Sequence, residues 1–212
     1  MESPGPNEPR KRRWNWRQYS ISTLLVVVTM LSVGLGVASN RAERQRRAVA
    51  AIRESGGWVQ YDFELLESND PPGPDWLYRV LGVDYLSDVV SVATSEMTDA
   101  ACSHLSGFTS LQSLNVGATQ ITDAGLAHLA ELTSLQSLYL DDTRVTDAGL
   151  AHLAALTNLE SLYLDHTEIS DPGLAHLARL TSLQSLHLEG TQVTREGYDA
   201  LRGALPNCRV YE

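Results

Sequence analysis

The sequence predicts an α/β repeat fold that follows one transmembrane helix. Residues 87–206 contain a block of 24 residues five times over, and a fixed period of this size indicates a solenoid. Within each block the apolar residues change from a spacing of two to a spacing of three, which predicts a strand followed by a helix. A run of 19 uncharged residues, 20–38, precedes the repeats and predicts the membrane span.

The repeat is clearest at 135–158, which reads LQSLYLDDTRVTDAGLAHLAALTN. Residues 111–134 and 159–182 are nearly identical to it, whereas 183–206 and 87–110 have diverged further. One such unit cannot bury both its strand face and its helix face, but stacked units cover each other. The sequence therefore predicts that all five units pack side by side.

Seven positions of each full repeat stay apolar and are predicted to point into the core. In the second unit they are Leu111, Leu114, Val116, Ile121, Leu126, Leu129 and Leu132. Each buried side chain of this size contributes ~1.5–3 kcal/mol, which offsets much of the entropy lost when the unit is ordered.

Three polar columns of the repeat have predicted structural roles. Aspartates just before the helices are expected to cap them: Asp99, Asp123, Asp147 and Asp171. Glycines inside the helices indicate close backbone approach between units: Gly125, Gly149, Gly173 and Gly197. Hydroxyls after the strands are expected to bind the loop backbone of the adjacent unit: Ser95, Thr119, Thr143, Thr167 and Thr191.

The pattern LxxLxL followed by TxITDxGLxHL, at 111–129, 135–153 and 159–177, resembles the leucine-rich repeat family. The TDxGL helix start is most similar to the ribonuclease-inhibitor-like and cysteine-containing branches. The resemblance implies a right-handed solenoid with parallel strands on the concave side and helices on the convex side. It also implies binding of proteins or peptides on the concave face, without catalysis.

The whole chain divides into five predicted segments. They are a disordered basic N-terminus (1–19), the transmembrane helix (20–38), a basic juxtamembrane helix (39–57), an N-terminal cap of the solenoid (58–86) and the repeat domain with a last C-terminal strand (87–212). This layout resembles membrane-anchored bacterial leucine-rich-repeat proteins.

The prediction of a transmembrane helix rests on the length of the uncharged run and on the residues that flank it. Nineteen helical residues rise ~28 Å, close to the ~30 Å hydrocarbon core, and arginines stand on both sides. A cleavable signal peptide ending at Gly36-Val37-Ala38 is the alternative. The solenoid is expected on the extracytoplasmic side, although basic residues on both flanks leave the orientation open.

Charge separates the two parts of the chain. Residues 1–57 have a net charge of +6 and residues 58–212 one of −16. A strongly acidic domain repels nucleic acid and favours basic partners. Phosphate-binding glycine loops, HExxH, paired CxxC and GxSxG are missing, so we predict no enzyme activity and no cofactor. Cys102 and Cys208 lie at opposite ends of the solenoid, too far apart for an intramolecular disulfide.

The candidate binding site is the concave face. Its aromatic and acidic columns are Tyr139, Tyr163 and His187, and Asp141, Asp165 and Glu189. Aromatic rings beside carboxylates suit a Lys- or Arg-containing peptide or protein loop. The sequence therefore predicts a basic protein or peptide as partner.

Other interpretations stay open. The face could be a solvated surface left by recent duplication, as in an envelope protein without a ligand. A divalent-metal sensor or enzyme could use the oxygen and nitrogen ligands Asp141, Asp142, Asp165, His166 and Glu189. The helix histidines His104, His128, His152 and His176 are expected to be solvated surface residues.

Overall fold

The structure of the protein, a computed structural model, describes residues 21–65 and 74–212. The chain divides into two compact units, one ending at Ala38 and one comprising Ser39–Glu212. The N-terminal segment 1–19, predicted to be disordered, lies outside the described residues.

The described part of the first unit is helical. Helix α1 runs from Ile21 to Glu54, so its first half covers the predicted span except Ser20, which is outside the described residues. Aliphatic side chains of this half, such as Val26, Met30 and Val37, are more than half exposed. Within the described ranges, no helix combines the length and the apolar character that a membrane span requires.

Strands and short helices alternate along the second unit. The strands are β1 (Trp58–Tyr61), β2 (Val89–Ala93), β3 (Ser113–Asn115), β4 (Ser137–Tyr139), β5 (Ser161–Tyr163), β6 (Ser185–His187) and β7 (Arg209–Tyr211). The helices are α2 (Asp75–Leu81), α3 (Asp99–Cys102), α4 (Asp123–Leu129), α5 (Asp147–Leu153), α6 (Asp171–Leu177) and α7 (Arg195–Ala204). Short 3-10 segments occur at Asp62–Leu65, Val83–Tyr85 and Ser103–Gly107.

The strands form one sheet in chain order, β1 to β7. Strands β2 to β7 are parallel to one another, and β1 is antiparallel to β2. Leu114 lies opposite Leu138, and Leu138 lies opposite Leu162, so the pairing register reproduces the 24-residue period. The predicted α/β solenoid with a parallel sheet is therefore confirmed.

The core consists of the predicted inward positions. In the second repeat they are at most 3% exposed: Leu111, Leu114, Val116, Ile121, Leu126, Leu129 and Leu132. The same columns in the other repeats join them in one continuous apolar cluster. The alternating spacings of two and three place these side chains between sheet and helices.

The second half of α1 belongs to this core. Ala48, Val49 and Ile52 are at most 5% exposed and lie in the same cluster as the repeats. Arg41 forms an ion pair of 2.6 Å with Asp88, and Arg46 donates a hydrogen bond to the Leu81 carbonyl. Residues 39–54, the helical part of the predicted juxtamembrane segment 39–57, therefore cover the N-terminal end of the repeat core.

Buried polar contacts hold this end of the solenoid together. Gln45 Nε2 donates to the Ser87 carbonyl at 2.7 Å. The Tyr61 hydroxyl donates to Asp84 Oδ1 at 2.9 Å, and burial together with this carboxylate raises the pKa of Tyr61 above its usual range. Tyr61 is therefore a neutral donor whose hydroxyl ties β1 to the segment before β2.

The prediction that aspartates cap the helices is wrong. The N-cap residues are Thr98, Thr122, Thr146, Ser170 and Thr194, and each aspartate is the first helical residue. Instead, each aspartate binds the N-cap of the next repeat. Asp123 Oδ1 accepts from the Thr146 backbone N–H at 2.8 Å, and Asp123 Oδ2 accepts from the Thr146 hydroxyl at 2.7 Å.

This two-bond contact recurs along the helix starts and links successive repeats. Its pairs are Asp99 with Thr122, Asp123 with Thr146, Asp147 with Ser170, and Asp171 with Thr194. We name this series the aspartate ladder. Hydrogen bonds to an ionised acceptor are stronger than neutral ones, so the ladder reinforces the stacking of the apolar faces.

The helix glycines make room for the aspartate ladder. A Cβ atom on Gly125 would lie 2.5 Å from Asp99 Oδ1, closer than real Cβ contacts come. Gly149, Gly173 and Gly197 meet the preceding unit's aspartate in the same way. The close approach predicted between backbones is thus an approach of a carboxylate to a helix backbone.

The threonine column also differs from its prediction. The hydroxyls of Thr119, Thr143 and Thr167 each donate to the carbonyl three residues earlier in their own unit, at 2.6 Å. Adjacent loops are joined by backbone bonds instead, such as Asp142 N–H to the Asp165 carbonyl at 2.9 Å. The column therefore shapes each loop within its own repeat.

Substitution of Gly149 by Ala is expected to destabilise the protein. The new Cβ displaces the Asp123 carboxylate from Thr146, and we expect a loss of about 1–3 kcal/mol despite the ~1 kcal/mol better helix propensity of Ala. Chemical unfolding of the full chain in detergent measures this. Gly203→Ala is the matched control, because open space surrounds Gly203. Equal stability of the two variants would contradict the role of the ladder.

The last rung of the ladder is sensitive to acid. Hydrogen bonds from the Thr194 hydroxyl and from its backbone N–H lower the pKa of Asp171. A carboxyl whose folded-state pKa lies below its unfolded-state pKa, about 3.9, stabilises the fold above that pH. This stabilisation is lost as the pH falls through the folded-state pKa.

Asp171→Asn is therefore expected to lower stability at pH 7 and to matter less as the pH falls. The free energies of unfolding of variant and parent should converge as the pH falls below about 3.9, because the protonated Asp171 carboxyl no longer accepts charge-assisted hydrogen bonds. Denaturant unfolding at several pH values measures the difference. Asp142→Asn, an exposed change outside the ladder, is the control for the loss of one carboxylate. A pH-independent difference for Asp171→Asn would rule out this linkage.

Candidate functional site

The sheet has one face turned away from the core, which we name the open face. One row of it, in pairing register, consists of Trp58, Ala93, Asn115, Tyr139, Tyr163, His187 and Tyr211. The parallel row before it consists of Gln60, Ser91, Ser113, Ser137, Ser161, Ser185 and Arg209. Just after the strands come Gly117, Asp141, Asp165 and Glu189.

Four rings of the first row are stacked face to face. The ring centroids are 4.3 Å apart for Tyr139 and Tyr163, 4.3 Å for Tyr163 and His187, and 4.2 Å for His187 and Tyr211. The interplanar angles are between 11° and 18°. We name these four residues the aromatic ladder.

Tyr211 was not among the residues predicted for the site. Sequence reasoning treated it as part of a closing strand, but it follows His187 by 24 residues and pairs with it in register. Continuing the repeat period by one step would have found it. It is 45% exposed and forms the C-terminal end of the ladder.

Stacking decides which part of the rings a partner meets. Tyr163 and His187 have both faces covered by neighbours, so they present ring edges and polar atoms. Burial and the neighbouring Tyr139 raise the pKa of Tyr163, which is thus a neutral hydroxyl at physiological pH. His187 Nε2 is 3.3 Å from the Ser185 hydroxyl. A cation can stack only on the terminal faces of the ladder.

The three carboxylates of the next row do not share one arrangement. Asp165 Oδ1 accepts a hydrogen bond from the Glu189 backbone N–H at 2.7 Å, so it turns toward the C-terminal unit. Asp141 turns the other way, over Gly117, where a Cβ atom would lie 2.7 Å from its Oδ2. Leaning apart lowers the repulsion between neighbouring carboxylates.

All six predicted partner-binding residues thus lie on the open face. Tyr139, Tyr163 and His187 form the predicted aromatic column, and Asp141, Asp165 and Glu189 the acidic one. Glu189 is exposed, and the other five are half-buried.

The metal interpretation finds no geometry to support it. Asp142 and His166 occupy left-handed loop positions, with φ of 54° and 56°, and both are exposed. Over residues 21–65 and 74–212, no three His, Cys, Asp or Glu side chains converge as metal ligands would. The helix histidines His104, His128, His152 and His176 are exposed, as predicted.

The two cysteines are free thiols. Cys102 is fully buried, and burial raises the pKa of its thiol to about 12, so it remains protonated at physiological pH. Burial also raises the pKa of Cys208. Neither thiol has the low pKa that marks a nucleophilic cysteine.

Polar clefts border the open face. One, of about 480 Å³, is lined by Ser110, Gln112, Ser134, Gln136, Asn158, Glu160 and Ser182. A second, of about 620 Å³, lies at the C-terminal end of the ladder and is lined by Ser161, Gln184, Ser185, Asn207, Arg209 and Tyr211. The sequence predicted no cleft at these positions, because Ser and Gln are common surface residues.

The chain resembles solved bacterial proteins over part of its length. A leucine-rich repeat protein of Leptospira interrogans is 18% identical, with a TM-score of 0.42, over 52% of this chain and 27% of that chain. Two internalins of Listeria monocytogenes are 22% and 23% identical. The first has a TM-score of 0.38, and the match covers 52% of this chain and 37% of that chain. The second has a TM-score of 0.44, and the match covers 62% of this chain and 64% of that chain. The chain thus covers less than two thirds of each of these proteins.

Family models match the repeats directly. No curated protein sequence matches the chain. Residues 133–193 match a family model described as leucine rich repeat, and residues 109–130 match a second model with the same description. Both matches lie on the units whose strands and helices repeat every 24 residues. Residues 109–130 and 133–193 of this chain are therefore leucine-rich repeats.

Proposed function

We propose that this chain is a non-catalytic, membrane-anchored module that binds a basic protein or peptide on its open face. Leucine-rich repeat domains commonly mediate protein–protein interactions. The observation that carries the proposal is the aromatic ladder lying beside the row of carboxylates on an outward-facing sheet.

The ladder supports binding because its rings are held in place before a partner arrives. Three consecutive ring pairs stack within 4.3 Å, so little side-chain freedom remains to be lost on binding. Tyrosines at the centre of an interface often contribute much of the binding energy. The half-exposed rings offer hydroxyl groups and apolar edges together.

The carboxylates and the overall charge support a basic partner. Residues 58–212 have a net charge of −16, so a basic protein is attracted at long range. Asp141, Asp165 and Glu189 place negative charge next to the ladder, where Lys or Arg side chains would pair with it. The other repeated polar residues have hydrogen-bond partners within the fold, as the aspartates of the aspartate ladder do. This supports a role in binding rather than in catalysis.

Membrane anchoring rests on the first half of α1. Residues 20–38 carry no charge, and Val26, Val28 and Met30 expose their aliphatic side chains. We place the solenoid on the extracytoplasmic side, as is usual for a single N-terminal anchor.

We assign the repeats to the ribonuclease-inhibitor-like type because of their TDxGL helix start and the seven-residue helices α4 to α6.

The open face is tested by four simultaneous substitutions, Tyr139→Thr, Tyr163→Thr, Asp141→Asn and Asp165→Asn. Because they remove ring stacking and two charges, the variant should bind a Lys/Arg-rich 15-residue peptide at least tenfold more weakly than the parent. Parent binding should weaken between about 50 and 300 mM salt, because screening reduces charge attraction. Fluorescence anisotropy with the full chain in detergent measures both effects.

The matched control changes the same number of residues elsewhere: Glu131→Gln, Glu168→Gln, His128→Ser and His152→Ser, all exposed. It should bind the peptide as the parent does, and thermal unfolding should show both variants folded. Unchanged peptide binding by the open-face variant would contradict the proposal. Self-association of the chain without peptide binding would favour a structural envelope protein.

The anchor is tested by deleting residues 20–38. We expect the full chain to stay with the membrane fraction after an alkaline carbonate wash and the deletion variant to be released, because only the apolar segment inserts into lipid. Protease added to intact cells should degrade the solenoid if it is extracytoplasmic. Release of the full chain by carbonate would exclude an integral anchor.

A further inference from the structure

The aromatic ladder ends at Tyr139 with one ring face unstacked by any described ring. Its other face is covered by Tyr163 at 4.3 Å. The next residues of the row toward the N-terminus are Asn115 and Ala93, which have no ring. The Asn115 side chain is tied to the loop, since its Oδ1 accepts from the Gly117 N–H at 3.1 Å. The face of Tyr139 that no described ring covers is therefore the one toward Asn115 of strand β3.

A carboxylate without an internal partner stands beside this face. Asp141 leans over Gly117, with both carboxylate oxygens within 2.8 Å of the position that a Cβ atom would take. No hydrogen bond or ion pair joins this carboxylate to the described residues, whereas the equivalent Asp165 accepts one from the Glu189 N–H. Because Asn115 and Gly117 belong to the same unit, the carboxylate and the free ring face border the same stretch of chain.

Trp58 is the last residue of the same row, on strand β1. Trp58 lies opposite Ala93 in the antiparallel pair and is 54% exposed. Three strand spacings of ~4.8 Å separate the backbones of Trp58 and Tyr139, so about 14 Å lies between them.

The geometry points to an arginine-binding subsite formed by Tyr139, Asp141, Asn115 and Gly117, and this inference rests on the proposed function. A guanidinium group is planar, so it stacks on the free face of Tyr139 and continues the ladder. Its N–H donors form a fork that a carboxylate such as Asp141 binds with two hydrogen bonds. A lysine ammonium lacks both the plane and the fork, so the subsite should prefer arginine.

Gly117 has a specific role in this subsite. Its backbone conformation lies outside the left-handed region, so an alanine is compatible with the chain path. A Cβ atom there would meet Asp141 Oδ2 at 2.7 Å and push the carboxylate out of its place. Gly117→Ala therefore moves the carboxylate without changing the charge of the protein.

The test is an NMR titration of the full chain in detergent with three pentapeptides, Ac-Gly-Gly-Xaa-Gly-Gly-NH2, where Xaa is Arg, Lys or citrulline. We expect the Arg peptide to bind at least fivefold more tightly than the Lys peptide. Citrulline, which keeps the planar shape but lacks the charge, should also bind more weakly. Asp141→Asn and Gly117→Ala should each weaken Arg binding by about tenfold or more, as the loss of a charge-assisted contact predicts. Tyr139→Thr should weaken it by about two- to fivefold, as the loss of a cation–π contact predicts.

Two comparisons separate a subsite from a general charge effect. Asp142→Asn removes the same charge one residue away and should leave Arg binding within twofold of the parent. Asp165→Asn should weaken Arg binding less than Asp141→Asn, because its carboxylate is already bonded to the Glu189 N–H. Thermal unfolding of Gly117→Ala verifies that this variant is folded.

Equal affinities for Arg and Lys, equal effects of Asp141→Asn and Asp165→Asn, or no saturable Arg binding would each overturn the subsite. None of these results would decide the broader proposal, since binding of the 15-residue basic peptide by the open face is measured separately. Loss of that peptide binding together with an intact Arg subsite would overturn the broader proposal alone.

Discussion

The structure depends on one constraint, namely that each 24-residue unit must cover the apolar faces of its neighbours. Leu114, Leu138 and Leu162 are fully buried only because adjacent strands pair in the same register. A slip of one residue would turn these side chains to the open face. The aspartate ladder reinforces the register at the helix starts, since each carboxylate binds one N-cap in the next unit.

The same register creates the candidate binding surface. Parallel strands with a constant spacing place equivalent residues ~4.8 Å apart, close to the stacking distance of aromatic rings. An aromatic residue repeated at one position is therefore sufficient to produce a stack. The distances of 4.2–4.3 Å between ring centroids follow from the strand spacing. The stack then limits recognition to ring edges, hydroxyl groups and the two end faces.

Small departures from the repeat distinguish one end of this surface from the other. Asn115 and Gly117 stand where the following repeats have Tyr139 and Asp141. Their small or tethered side chains free one face of Tyr139 and let Asp141 lean toward the N-terminal unit. Two differences within an otherwise nearly identical repeat thus determine where the ladder ends and what can bind there.

Local patterns alone were sufficient for the repeat unit, the inward columns and the two columns of the candidate site, because spacing determines which side chains share a face. The parallel sheet was expected only from the resemblance to leucine-rich repeats. The partners of polar groups were beyond sequence reasoning. The binding of Thr146 by Asp123, the packing of Ile52 in the core and the opposite leaning of Asp141 and Asp165 each join residues distant in the chain. Only the tertiary structure decided these contacts, since they depend on how closely neighbouring units approach.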